Sequence, residues 1–459
     1  MNTSTYISIG RLSKRFFPFL FFVFLCSSCN KTNFDKQVSI QQAGEAQTVK
    51  PNIILIVADD IGYEIPTCNG GRSYVTPAIN NLAKSGIRFT QCHVCPNCAP
   101  TRIELLTGKY GFRNYTQWGH LDTTQKTFVN MLQDAGYKTC VAGKWQLDGG
   151  GASIKKFGFD KYLVLDPFRD QTEGRDNNRR YKNPLLFEKG NFLADSVTKG
   201  RYADDMFAEY ISNFIDKNVN NSFFVYFPLS LCHPPFFPTP DDAEFASWDP
   251  LKDHGDTAFF PSMVKYMDKK VKQIKDKISS VGLASNTIII FMGDNGTPQE
   301  ISSLFKDQRI QGGKATSTVY GTHVPLIVSC PTKFLTGQAS TGLIDASDFL
   351  PTIANMAKLS QPKTYGPLDG ISFYPLLFGS TERLRDWIYC YWNPQFNQDI
   401  FRVWVQDEKY KLYDSTNEHY FFDIRNDPNE LTSIPPSQLD HHQKPRRNTF
   451  DSVLQVMHN

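Results

Sequence analysis

Net charge is nearly absent: 49 Lys+Arg stand against 46 Asp+Glu in 459 residues, a formal +3. So balanced a chain lacks the basic stripe of a nucleic-acid binder and the polybasic clusters of a protein held to acidic lipid by charge. Long hydrophobic runs are missing too. The most concentrated one, Phe16 to Leu25, is too short to cross a bilayer as a helix. Cysteine is sparse: of 10, Cys26 and Cys29 lie beside that run, and the rest are too few to staple a fold of this size. No internal repeat recurs, which excludes solenoids and propellers. What is present is the composition of a globular chain with a large core: 40% hydrophobic and 21% charged residues.

The N-terminus reads as an export signal. Arg11, Lys14 and Arg15 precede the apolar run, and Ser27, Ser28 and Cys29 follow it. The junction resembles the cleavage site of a bacterial lipoprotein, in which residues 1–28 are removed and Cys29 is acylated; the alternative is an ordinary cleaved signal in which Cys29 is incidental. Residues 29–50 are polar and read as a tether. The expectation is an exported protein, periplasmic or at the cell surface, with a lipid anchor in the membrane.

Beyond the tether, Ile53–Ala58 is a continuous apolar run that reads as a strand buried on both faces, and Tyr137–Ala142, Phe223–Leu229, Thr287–Met292 and Val324–Ser329 are further strand-like runs. Helical patterns lie between them at Thr76–Ser85, Lys126–Ala135, Tyr202–Lys217 and Ser262–Val281. This alternation predicts an α/β domain over 51–380, with a large, mostly parallel or mixed central sheet flanked by helices. After Leu377 short strands (387–392, 401–406, 409–413, 420–423) predict a smaller antiparallel subdomain over 381–459. Its end, Pro435 to Asn459, reads as a polar, frayed tail.

Sites in open α/β sheets form beyond the carboxyl ends of strands. Two apolar strands end in acidic clusters, at Asp59-Asp60 and at Gly293-Asp294-Asn295-Gly296. Three carboxylates and an amide carbonyl are a hard-oxygen set, suited to Ca²⁺ or Mg²⁺ and not to zinc. Each Asp alone could equally end a strand in a turn. Cys92, Cys95 and Cys98 have zinc-like spacing, but Pro96 and Pro100 interleave and a fourth ligand at a usual spacing is missing apart from His93.

The segment Cys98-Ala99-Pro100-Thr101-Arg102, with Thr107-Gly108 after it, resembles the signature of the sulfatase family, within the alkaline-phosphatase-like superfamily. The signature is Cys (or Ser)-x-Pro-x-Arg followed by Thr-Gly; Thr101 stands where Ser is commoner. The resemblance covers nearly the whole mature chain. Pro51-Asn52-Ile53 through Asp59-Asp60-Ile61-Gly62, Gly143-Lys144-Trp145, Gly293-Asp294-Asn295-Gly296 and Gly313-Lys314 stand in the family's order. It implies that a formylglycine-generating enzyme oxidises Cys98 to formylglycine. It also implies that Asp59, Asp60, Asp294 and Asn295, with the modified Cys98, bind one divalent cation, Ca²⁺ or alternatively Mg²⁺. Arg102 would orient the nucleophile and Lys144 and Lys314 would contact sulfate. His233, in Cys232-His233-Pro234, would protonate the leaving alcohol. The implied activity is hydrolysis of a sulfate ester on a small molecule or a glycan.

The pattern departs at Gln146, where the family usually has His, and at His323, near a usual Arg. Glutamine cannot accept a proton at neutral pH. Two other readings compete. One is a phosphomonoester or phosphonate hydrolase of the same superfamily; a two-metal phosphatase would need a further Asp/His set, which is not evident around His233, His254 or His323. The other is a catalytically silent, ligand-binding lipoprotein, which Gln146 favours and the intact Cys98 motif opposes. Specificity is expected from 166–191 and the C-terminal unit, which carry no family landmark.

Overall fold

A strand that is apolar at successive positions must be covered on both faces, and β1 (Asn52–Ala58) is such a strand from Ile53 onward: all of it is buried. Ile53, Leu55 and Val57 enter one core, while Ile54, Ile56 and Ala58 enter the other. In this computed structural model the remaining strands of the main sheet begin with β2 (Gly86–His93), β3 (Lys138–Lys144), β4 (Lys161–Leu165), β5 (Phe187–Glu188) and β6 (Asn191–Phe192). Next come β7 (Phe223–Pro228), β8 (Thr287–Gly293), a separate hairpin of β9 (Ser302–Phe305) and β10 (Gln308–Gln311), then β11 (Leu326–Ser329) and β12 (Gln338–Asp345). The structure describes residues 50–168, 177–394, 400–415 and 418–458. The export signal, Cys29 and the tether up to residue 49 lie outside them.

The ten-stranded sheet runs β12-β2-β11-β8-β1-β7-β3-β4-β5-β6. Its middle, from β8 through β1, β7 and β3 to β4, is parallel, whereas β11 runs antiparallel to both its neighbours. The mixed α/β sheet expected from the sequence is therefore present. Helices Cys98–Thr107, Phe128–Asp134 and Phe349–Met356 cover one face, and Pro77–Lys84, Ala203–Asp216 and Phe260–Ser280 cover the other. Five central strands thus end on the same edge, which is where the acidic clusters stand.

The small C-terminal sheet is also present, as antiparallel β13 (Ile388–Trp392), β14 (Arg402–Gln406), β15 (Tyr410–Tyr413) and β16 (Phe421–Asp423). The frayed tail expected after Pro435 is not: Gln443–His458 is a helix. Phe450 and Leu454, one turn apart, are buried against Val403, Val405 and Leu412, with Val453 and Met457 packed beside them, and these residues dock the helix. The sheet's other face packs Trp392, Trp404 and Cys390 against Cys95, just before the Cys98 helix. Val49–Asn459 forms one compact unit, and no described helix is long and apolar enough to cross a membrane.

Candidate active site

Every site residue expected from the sequence converges at the carboxyl ends of β1, β3, β7 and β8. Lys144 Nζ donates to Asp59 Oδ2 at 2.6 Å, and Lys314 Nζ to Asp60 Oδ2 at 2.6 Å. Arg102 donates to Asp294 Oδ2 through Nη2 at 2.8 Å and Nε at 3.1 Å, with Asp59 Oδ2 at 3.9 Å. Asn295 Nδ2 donates to Asp60 Oδ1 at 2.7 Å. Cys98 offers its sulfur to the Asp59–Asp294 group, and His233 a ring nitrogen to the Asp59–Asp60 group, each set lying within 4.8 Å.

Local structure explains these positions. At Gly143 the backbone has φ 142°, and a Cβ there would stand 1.9 Å from the Pro228 carbonyl oxygen. Only glycine lets the end of β3 approach β7 so closely, and Lys144 emerges from that contact fully buried. Cys98 begins its helix, so Arg102 stands one turn further on the same face. From there Arg102 also donates through Nη1 to the Lys144 carbonyl at 2.8 Å, tying helix to strand.

Burial sets the electrostatics. It opposes the charge on Asp59, but Lys144, Arg102 and Lys314 outweigh it and hold that carboxyl below its usual range. For Asp60, burial wins over Lys314 and the carboxyl is raised. Asp294 is pushed up to about 7 by burial and by the Asp59 charge. Two fully buried acceptors, Asp59 Oδ1 and Asn295 Oδ1, have no donor among the described residues, and each orphan costs about 1–3 kcal/mol. Orphaned oxygens among converging carboxylates fit a hard divalent cation, and the oxygen donors serve Ca²⁺ or Mg²⁺ alike. Among the described residues both candidate clusters share Asp59, so they make one centre and not two. Cys92 and Cys95 join neither: the Cys95 thiol donates to Glu104 at 3.3 Å and lies 3.7 Å from the Cys390 sulfur.

His233 is held neutral. Burial first, then Lys144, Lys314 and Arg180, keep its pKa well below the ordinary value. Nδ1 lies 2.5 Å from the Pro234 carbonyl, which assigns the proton to Nδ1 and leaves Nε2 an acceptor. Gln146, in the left-handed region at φ 53°, accepts from the Cys98 thiol through Oε1 at 3.1 Å. His323 is occupied elsewhere. Its ring stacks on Tyr63 and His93, its Nε2 faces the Thr90 carbonyl at 3.0 Å, and burial lowers its pKa to about 4.

One residue at the site was not singled out by sequence. Arg180 is buried and bonds Asp166 at 3.2 Å. In the sequence nothing distinguishes it from Arg179, which pairs with the exposed Asp195.

Comparison with known proteins adds the following. The family described as Sulfatase matches residues 51–359, and one described as N-sulphoglucosamine sulphohydrolase, C-terminal, matches 318–447. The chain is similar to arylsulfatase G of Rattus norvegicus, 29% identical over 75% of this chain and 72% of that protein. It is also similar to the N-acetylgalactosamine-6-O-sulfatase of Bacteroides thetaiotaomicron, 27% identical over 82% of this chain and 84% of that one. Among solved structures it resembles Ps i-CgsB in complex with k-i-k-neocarrahexaose, with TM-score 0.70, 26% identity, and coverage of 84% of this chain and 89% of that chain.

Proposed function

The chain belongs to the sulfatase family of sulfuric ester hydrolases, and from that premise we propose that it removes sulfate from a sulfated sugar through a formylglycine made from Cys98. The single observation that carries the reading is the convergence of Cys98, Arg102, Lys144, His233 and Lys314 on one buried carboxylate cluster. The sugar as substrate class is supported by the named activity of the Bacteroides relative and by the ligand of the similar structure.

Asp59, Asp60, Asp294 and Asn295 would hold one Ca²⁺ or Mg²⁺ beside residue 98. Formylglycine supplies, as its hydrate, a hydroxyl that attacks sulfur, and the cation supplies neutralisation of charge there. Lys144 and Lys314 face the bound group from two sides, where they offset the charge that grows on its non-bridging oxygens. Arg102 keeps Asp294 and the end of β3 in register with residue 98. His233 presents Nε2, and an anionic substrate beside it counters the lysine charges, raising its basicity so that it can carry the proton to the leaving oxygen. Gln146 can hold the nucleophile by a hydrogen bond but cannot take its proton.

The proposal extends to the cell. A formylglycine-generating enzyme acts on Cys98, and residues 1–28 direct export to a periplasmic or surface location with a lipid anchor at Cys29. The test is sulfate release from sulfated monosaccharides and aryl sulfates by protein co-produced with such an enzyme. Phosphate-ester or phosphonate hydrolysis without sulfate release would overturn the reading.

A further inference from the structure

Arg180 ends the helical turn Asn177–Arg180, between β4 and β5, and only 4% of it is exposed. Its Nη2 donates to Asp166 Oδ2 at 3.2 Å, while Nε and Nη1 are buried with no hydrogen-bond partner among the described residues. A guanidinium stays charged, so two buried donors left bare call for an acceptor that the described residues do not supply.

Contacts on both sides locate those donors. Asp166 gives its carbonyl to the Gln146 amide at 3.0 Å, and Gln146 accepts from Cys98. On the other side the hydroxyl of the adjacent Tyr181 reaches the Ser230 carbonyl at 2.8 Å and the His233 carbonyl. Arg180 therefore stands between the wall behind the nucleophile and the loop that carries the general acid. Its charge acts on Asp59, Cys98 and His233.

The scissile sulfate already has Lys144 and Lys314. Around it Arg102, Lys144, Lys314 and Arg180 are balanced by Asp59, Asp60, Asp294 and Asp166. A divalent cation together with a singly charged ester would leave positive charge unmatched, and Arg180 is where donors remain free. We propose that Arg180 is a specificity-determining residue that binds an oxyanion elsewhere on the substrate: a carboxylate or a second sulfate on the sugar bearing the scissile ester. This rests on the sulfate-ester reading above.

The test compares the mature enzyme with Arg180→Gln and Arg180→Lys on three matched probes: a neutral monosulfated sugar, a monosulfated uronic acid and a disulfated sugar. Wild type should favour at least one acidic probe over the neutral one by about 10–100-fold in kcat/KM, mainly through KM. Arg180→Gln should erase that ratio and Arg180→Lys should keep part of it; whichever acidic probe is favoured names the oxyanion. Calorimetric binding of the same probes to Cys98→Ala protein, with and without Arg180→Gln, gives the same comparison independently of turnover. A wild-type enzyme without preference, or equal losses on neutral and acidic probes in a folded Arg180→Gln protein, would overturn the inference and leave the sulfate-ester reading standing. Release of sulfate from none of the probes would sink both.

Discussion

The floor of the site and its wall are built on opposite terms. On the floor, Asp59, Asp60 and Asp294 each meet a cation at 2.6–2.8 Å: Lys144 at the end of β3, Lys314 in the turn after the β9–β10 hairpin, and Arg102 in the second turn of a buried helix. The wall is made of turns: Gln146 and Asp166 have left-handed backbones, at φ 53° and 51°, and Arg180 has donors without acceptors among the described residues. Asp59, Asp60 and Asp294 directly follow the core strands β1 and β8, whereas Arg180 lies in the turn between β4 and β5. On the proposed reading, the sheet would hold the reacting groups and the loops would choose the substrate.

Breaking the floor should have the largest effect. Cys98→Ala removes the nucleophile and should lower turnover of every sulfate ester by about 10⁴-fold or more, with little change in melting temperature. A wall variant such as Arg180→Gln should instead alter preference among substrates. Comparable losses from both variants on a neutral aryl sulfate would erase the distinction.

Asp294→Ala comes next. It should cost about 10³-fold in turnover and about 3–5 kcal/mol of stability, because Arg102 is left buried without its partner. Chelation of the cation from wild type should reproduce the first loss and little of the second. Urea unfolding of the variant at wild-type stability would show that Asp294 serves the cation alone.

These contrasts also mark what was legible in the sequence. Ile53–Ala58 and Thr287–Met292 announced themselves as unbroken apolar runs, and the aspartates after them as site residues, because a doubly covered strand leaves no room for polar side chains until it ends. The hairpin of β9 and β10 gave no such signal: it is short, and Ser302, Gln308 and Gln311 are polar. The helix at 443–458 was hidden because Phe450 and Leu454 are its fully buried apolar anchors in a polar sequence. On the wall, the departure at Gln146 was visible but its contact with Cys98 was not. Arg180 becomes informative only once its burial is known.

His233→Ala sharpens the comparison from the floor's edge. Alkyl-type sulfates should lose about 10²-fold or more, and aryl sulfates with good leaving groups less than about tenfold, since these depart without a proton. Parallel losses on both would assign His233 to sulfate binding.

Gln146→His should have the smallest effect. It places a proton acceptor at the Cys98 contact, and steady-state turnover should hold or rise, by about tenfold at most. Rapid mixing of wild type should show alcohol released in a burst before steady turnover, as expected where the second step lacks a base. Inactivation of a folded Gln146→His protein, with no burst in wild type, would give Gln146 a role in binding substrate.

The central claim is that residue 98 works as formylglycine, and the mass of the tryptic peptide Phe89–Arg102 tests it most directly. In protein that releases sulfate, the account predicts a peptide that has lost one sulfur and two hydrogens and gained one oxygen. Full sulfate-ester turnover by protein whose peptide retains an intact Cys98 thiol would contradict it.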